Sequence, residues 1–210
     1  MNDEIIALIE SKKRKSAGDN VHKPLFFRIY NQPEKELFEH ALEHTPGIHF
    51  HDEITSQLRE LIRSLNPSVS FSEEIYSQYI QKHLNEVSVH EYGVWVYYPW
   101  SNRMVHTLDE QEFIQVRTNR NTYKITPEER DLLASKKVGV VGLSVGQSVA
   151  LTMAMERCCG ELRLADFDAL ELTNLNRIRT PIYNLGVNKA VSVAREIAEI
   201  DPYIKTVVFD

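Results

Sequence analysis

Cysteine is nearly absent from this chain: there are two in 210 residues, Cys158 and Cys159, side by side. Adjacent cysteines do not bridge usefully, and two cannot build a disulfide framework. That excludes a disulfide scaffold and points to the cytoplasm. Both thiols fall at the end of a predicted helix, where small apolar residues are wanted, so they read as buried structural residues and not as a thioester nucleophile pair. Long apolar runs are missing too. No window approaches the roughly 18 residues a membrane span needs, and the N-terminal apolar stretch is too short for a signal sequence. Positive charge is in deficit, with 24 Lys+Arg against 30 Asp+Glu and a net charge of −6. Without a broad basic face, nucleic acid is a poor partner, and no membrane partner is expected either. The run Lys12-Lys13-Arg14-Lys15 reads as the solvated end of a short N-terminal helix. Repeats and low-complexity segments are also lacking.

What remains is an ordinary globular composition, 42% hydrophobic and 26% charged, over a length that suits one or two domains. Residues 1–125 read as a small α+β region. A helix and a polar linker (residues 16–20) come first. A strand follows at Pro24–Tyr30, then a helix through Leu37, Phe38, Ala41 and Leu42, then a short strand at Ile48–His51. Asp52 is read as the N-cap of a helix carrying Ile54, Leu58, Leu61, Ile62 and Leu65. A further helix covers residues 72–85. Residues 92–125 read as an antiparallel meander, with strands at 92–98, 104–106, 113–117 and 122–125. The aromatics Trp95, Tyr97, Tyr98 and Trp100 read as its core. The pairs His40/His44 and His49/His51 have ligand-like spacing, but no cysteine supports a metal site there. Thr126-Pro127-Glu128-Glu129 is a strong helix start.

From Lys137 the pattern becomes β-α-β-α-β, which argues for a parallel sheet. Val138–Val141 reads as a strand buried on both faces. A helix at 146–158 follows, with Gly160 as its C′ glycine. Next come a strand at 161–166, a helix at 188–199 and a strand at 204–209. The first turn, Gly142-Leu143-Ser144-Val145-Gly146-Gln147-Ser148, joins strand to helix as the G-x-G-x-x-G fingerprint does. It keeps only the first glycine: Ser144 and Gln147 replace the other two, and Gly146 is out of phase. The setting still favours phosphate, because a strand precedes and a helix N-terminus follows. Asp166 ends the second strand, where an acid accepts ribose hydroxyls.

The next stretch, Asp166-Phe167-Asp168-Ala169-Leu170-Glu171-Leu172-Thr173-Asn174-Leu175-Asn176-Arg177, followed by Gly186-Val187-Asn188-Lys189, brings two amides, a guanidinium and an ammonium to the carboxyl end of a parallel strand. An arginine fork and a lysine point charge suit a phosphate chain. Hydride transfer needs no such pair. Cleavage of an α–β phosphate bond does, because charge builds on the leaving pyrophosphate.

These residues resemble the ThiF/MoeB superfamily of ubiquitin-activating-enzyme-like adenylyltransferases. The family pattern D-x-D-x-x-E-x-x-N-L-N-R, then G-x-x-K, then a helix ending near a proline, is matched by DFDALELTNLNR, GVNK and EIDPYI, over about residues 136–210. The resemblance implies a Rossmann-like parallel sheet and an ATP-dependent adenylyltransferase with Mg²⁺ as its metal. Its reaction is attack of a carboxylate on the α-phosphorus of ATP, giving an acyl adenylate and pyrophosphate. The carboxylate belongs to a ubiquitin-like or sulfur-carrier protein, or to a small molecule, and the family context allows a homodimer and a bacterial source. By the same resemblance, Gly142, Ser144 and Gly146 line the phosphates and Asp166 holds the ribose. Asn174 and Arg177 contact the phosphates, Lys189 stabilises the transition state, and Asp168 and Asn176 shape the site.

Three departures stand against the pattern. GLSVGQS replaces the usual GAGGLGS, which brings the Cβ atoms of Ser144 and Val145 towards the nucleotide. The family's arginine-bearing N-terminal helix is not visible, and Arg130 is a weak substitute for its arginine. The family's metal-binding aspartate falls beyond Asp210. Residues 126–210 therefore read as the first half of an adenylation domain, and the chain on its own is expected to be inactive. The alternatives are an NAD(P)- or FAD-binding oxidoreductase and a non-catalytic partner subunit of the same fold.

Overall fold

The computed structural model describes residues 2–12 and 20–210. Lys13-Arg14-Lys15 and the linker at 16–19 lie outside the described residues. After helix α1 (Asn2–Lys12), the N-terminal unit is built on a four-stranded mixed sheet in the order β1-β3-β4-β2. Its strands are β1 (Leu25–Phe27), β2 (His49–Asp52), β3 (Val94–Tyr98) and β4 (Arg103–Thr107). β3 explains why the sheet is closed on both faces. Its side chains alternate, as any strand's do, and every one is buried. Trp95 and Tyr97 join Phe27 and Met104 under Phe38 and Ala41 of α2 (Gln32–His44). Val94, Val96 and Tyr98 point to the other face and meet Ala198 and Tyr203. The aromatic group is thus largely core.

A second cluster gathers Ile54, Leu58 and Leu61 of α3 (Ile54–Leu65) with Ile80 and Leu84 of α4 (Glu73–Leu84) and with Phe113 and Val116. Phe113 and Val116 lie on a helix, α5 (Glu110–Thr118), which continues into a 3-10 turn at Asn119–Tyr123. The expected meander therefore stops at the β3–β4 hairpin. The alternation over 113–117 is too short to tell a strand from a helix. The deciding features are the Asp109 cap, whose carboxylate accepts the Glu110 N–H at 2.7 Å, and the acids of the first turn. The role expected of Asp52 also changes. It ends β2, and its carboxylate accepts from the Ile54 N–H at 3.2 Å and meets His106 Nδ1 at 2.9 Å, while Glu53 stands at the cap of α3. Leu37, Leu42 and Leu65, assigned to apolar faces, are exposed. His40 and His44 stack on each other, and His49 and His51 lie on exposed β2.

The capping box of Thr126 and Glu129 starts α6 (Pro127–Ala134). The second sheet follows, wholly parallel, in the order β5-β6-β7: β5 (Lys137–Val141), β6 (Glu161–Ala165) and β7 (Lys205–Phe209). The crossovers α7 (Gly146–Glu156) and α8 (Lys189–Ile200) pack on one face of it. Its core holds Leu143, Ala150, Ala154, Leu162, Leu164, Ala190, Val193, Ala194 and Ile197, with Cys159 among them. Burial pushes the Cys159 thiol up, as suits a structural cysteine.

Two expectations fail here. β5 is an edge strand, and Lys137, Gly139 and Val141 are exposed rather than buried on both faces. The left-handed residue closing α7 is Arg157 (φ 54°), not Gly160. Gly160 serves a close approach instead: a Cβ there would lie 1.9 Å from the Ala134 carbonyl oxygen. No described helix is long and apolar enough to cross a membrane.

Candidate functional site

The site grows from the carboxyl edge of the parallel sheet. β5 runs into Gly142, whose φ of +82° suits glycine and whose N–H bonds the Ala165 carbonyl at 2.9 Å. The turn therefore stays stitched to β6. Leu143 drops into the core, and its N–H donates to Asp166 Oδ2 at 2.7 Å. α7 then starts at Gly146, with no side chain capping it. A Cβ on Gly146 would lie 2.7 Å from Val140 Cγ1. Gly146 is thus the glycine that lets the helix press against the strand, although it is out of phase with the fingerprint. Ser144 is half-buried, its hydroxyl makes no hydrogen bond among the described residues, and Val145 is exposed.

Asp166 is the hub. Its Oδ1 accepts from the Asp168 N–H at 3.0 Å, and its carbonyl accepts from Asn188 Nδ2 at 2.7 Å. Asn188 caps α8 as well, accepting from the Ala190 and Val191 N–H groups. That cap fixes Lys189 as the first residue of α8. Lys189 is only 5% exposed. Its ammonium lies 2.8 Å from Asp168 Oδ2 and 3.9 Å from Asp166 Oδ1. A buried cation is tolerable only with such partners. The glycine turn, Asp166, Asp168 and Lys189 therefore form one contiguous group.

The remaining candidates sit on the loop between them. A 3-10 turn at Leu172–Asn176 is closed by Glu171 and Asn174, which cap each other reciprocally. Asn174 is buried there, with Oδ1 accepting the Glu171 N–H at 3.1 Å. Asn176 and Arg177 are exposed and bond each other (Nη1 to Oδ1, 3.0 Å). No hydrogen bond or ion pair joins Asn174, Asn176 or Arg177 to Lys189 among the described residues. The loop is instead brought to the site through its backbone: Leu170 N–H bonds the Val187 carbonyl and Gly186 N–H the Leu170 carbonyl, each at 2.8 Å. Arg130 is remote from the group. It pairs with Asp131 on α6, and the last turn of that helix meets Gly160 at the opposite edge of the sheet.

Residues 117–210 match the ThiF family. Among curated proteins, the chain is 51% identical over 110 residues to the uncharacterized protein MT1398 of Mycobacterium tuberculosis, covering 52% of this chain and 15% of that protein. Among solved structures, it is similar to Escherichia coli tRNA N6-threonylcarbamoyladenosine dehydratase, TcdA, with 29% identity and a TM-score of 0.45, over 48% of this chain and 42% of that one. TcdA has been solved with ATP and with AMP. The E. coli MccB structure with ATP is 20% identical, with a TM-score of 0.41, over 75% of this chain and 46% of that one. The chain thus spans less than half the length of each of these proteins.

Sequence reasoning missed two polar groups near this site. One is Asn188, whose cap-and-bridge role was legible only as a possible N-cap ahead of a helix. The other is Gln147, which is buried and bonded to Glu196 and to the backbone of Arg179. Burial, with Glu199 adding to it, raises the Glu196 carboxyl to about 7, against the opposing pull of Gln147 and Arg179. From the ordinary value of 4.5 up to about 7, the folded chain then holds a proton that the unfolded chain has released. Stability from this group therefore falls as pH rises through that window. Glu196→Gln is expected to flatten the slope and to stabilise the chain above neutrality by about 1–2 kcal/mol, allowing for partial exposure. Urea unfolding at about pH 5 and about pH 8 measures it; an unchanged difference between the two would remove Glu196 as the cause.

Proposed function

We propose that residues 137–210 form the nucleotide-holding part of an ATP-dependent adenylating enzyme, which activates a carboxylate by joining it to the α-phosphorus of ATP with release of pyrophosphate. The observation that carries this is the buried Lys189 ammonium, held by Asp168 and Asp166 beside a glycine turn and an uncapped helix start. A bare scaffold has no need of a buried cation at a strand's carboxyl edge.

The residues present fit the nucleotide. Asp166 uses one lone pair on each oxygen for the Leu143 and Asp168 amides, and a carboxylate offers about four acceptor sites. Ribose hydroxyls can therefore still donate to it. Lys189 has three donors and spends one hydrogen bond on Asp168, so it can turn to phosphate oxygens. Arg177, exposed and only loosely held, can lay its fork on the departing pyrophosphate. No group of three metal-ligating side chains occurs among the described residues. Mg²⁺ commonly binds through one or two carboxylates plus phosphate oxygens, and Asp168, with its side chain 63% exposed, is the carboxylate open to such an ion. Bound with ATP, Mg²⁺ would neutralise phosphate charge.

The carboxylate substrate is the C-terminus of a ubiquitin-like or sulfur-carrier protein, or a small molecule. The unpaired cysteines suit a cytoplasmic setting. Thermal unfolding tests the reading. ATP at about 100 times its Kd should add about 2.7 kcal/mol, roughly 5–10 °C in Tm for a chain of this size. NAD⁺ should add nothing, and Asp166→Ala should abolish the ATP shift. Stabilisation by NAD⁺ but not by ATP would replace this reading with the oxidoreductase one.

A further inference from the structure

Gln147 stands where the dinucleotide fingerprint has its third glycine, yet its side chain is neither exposed nor idle. It is 4% exposed. Its Oε1 accepts the Arg179 N–H at 3.2 Å, and its Nε2 donates to the Arg179 carbonyl at 3.0 Å. The same Nε2 reaches Glu196 Oε1 and Oε2 at 3.1 and 3.2 Å. The orientation of the amide is forced, because the reverse would set Oε1 against three acceptor oxygens and Nε2 against an N–H.

Position 147 is free to carry a side chain for a reason visible in the turn. The third glycine normally lets helix and strand approach closely, and here Gly146 provides that approach one residue earlier, against Val140. A side chain at 147 therefore obstructs nothing, and it grips both backbone groups of Arg179 as a paired strand would. Upstream, Asn174 is fixed by its reciprocal cap with Glu171. Between these two anchors, Ile178 is buried and its N–H bonds the Asn174 carbonyl at 2.8 Å. Arg177 lies within this held stretch. Among the described residues its guanidinium bonds Asn176 Oδ1 at 3.0 Å and the Thr173 carbonyl at 3.5 Å, weak partners that a phosphate can displace.

We propose that Gln147 is a positioning residue. By clamping Arg179 to the first turn of α7, it sets where Arg177 stands relative to the glycine turn, so that both address one polyphosphate chain. This rests on the adenylation reading above. It implies a ligand-dependent signature: the clamp matters for the phosphate chain and not for the nucleoside.

The test is calorimetric binding of ATP and of adenosine to the wild-type chain, Gln147→Ala, Arg177→Ala and the double variant. Gln147→Ala should weaken ATP binding about tenfold and change adenosine binding by no more than about twofold. The Arg177→Ala loss should largely vanish in the Gln147→Ala background, because the two changes act on one contact. Amide exchange at Arg179 should accelerate in Gln147→Ala. Gln147→Met keeps the volume and removes the amide's hydrogen bonds to Arg179 and Glu196, so it carries the same expectation if the alanine variant fails to fold. Equal losses for ATP and adenosine, or additive losses in the double variant, would show a merely structural role and overturn the proposal. A wild-type chain that binds no ATP overturns the adenylation reading and this role with it. A wild-type chain that binds ATP no better than Gln147→Ala does overturns this role alone.

Discussion

Lys189→Met should weaken ATP binding by about 10- to 100-fold, the range expected when a charge-assisted hydrogen bond to phosphate is lost. The methionine fills much of the same volume, so the loss reports charge and not packing. In the resting chain the ammonium is already engaged, 2.8 Å from Asp168 Oδ2 and 3.9 Å from Asp166 Oδ1. Phosphate must compete with Asp168 for it. Asp168→Asn weakens that competitor and keeps its shape, so it is expected to tighten ATP binding, or at least to preserve it. In the absence of Mg²⁺, Lys189→Met and Asp168→Asn should therefore move affinity in opposite directions, and titration of each variant with metal-free ATP measures both. If the two weaken metal-free ATP binding equally, Asp168 itself contacts the nucleotide and the competition is refuted. Without nucleotide, Lys189→Met should also destabilise the chain by about 1–3 kcal/mol, since Asp166 then keeps only its amide partners in a setting with little solvent.

Local chemistry made much of this legible in the sequence. The Thr126–Glu129 capping box, the apolar face of α8 and the β-α-β-α-β order are written in neighbouring residues, and all stand in the structure. The acidic segment at 166–177 carried the resemblance because its residue types have their own chemistry. The ThiF family match over residues 117–210 agrees with that resemblance.

What was not legible depends on partners far along the chain. Residues 113–117 alternate like a strand, but Phe113 meets Tyr203 across the fold and Val116 packs with α3 and α4. Two contacts at helical spacing outweigh a five-residue pattern. Val138–Val141 is apolar enough for a central strand, yet the sheet order puts it at an edge. Gly160 looked like a helix stop, and the close approach of the Ala134 carbonyl that requires it has no local signature. Gln147 looked like a fault in a glycine fingerprint, and its partners Arg179 and Glu196 are 32 and 49 positions away.

Asp201 shows the same limit, and its removal carries the largest stability effect expected in this chain. In the sequence it reads only as a helix break before Pro202. In the structure it is fully buried at the end of α8. Arg157 donates from Nε to Oδ2 at 2.6 Å, and the Tyr203 N–H donates to Oδ1 at 3.1 Å. Arg117 Nε, from α5, lies 3.4 Å away without making a hydrogen bond. One carboxylate thus ties the left-handed C-cap of α7 to the end of α8, with the N-terminal unit's arginine beside it. Removing one partner of a buried ion pair costs about 3–5 kcal/mol, because it strands the other charge. The whole stability of a domain is about 5–15 kcal/mol. Asp201→Ala should therefore bring the chain close to unfolding at ambient temperature. Arg157→Ala should cost somewhat less, because Asp201 keeps the Tyr203 amide, and Arg117→Ala should cost under about 1 kcal/mol, because its contact lacks hydrogen-bond geometry. Urea midpoints of the three variants give the order directly. A loss for Arg117→Ala as large as that for Arg157→Ala, or an Asp201→Ala chain within about 1 kcal/mol of the parent, would contradict this account of how the two units are joined.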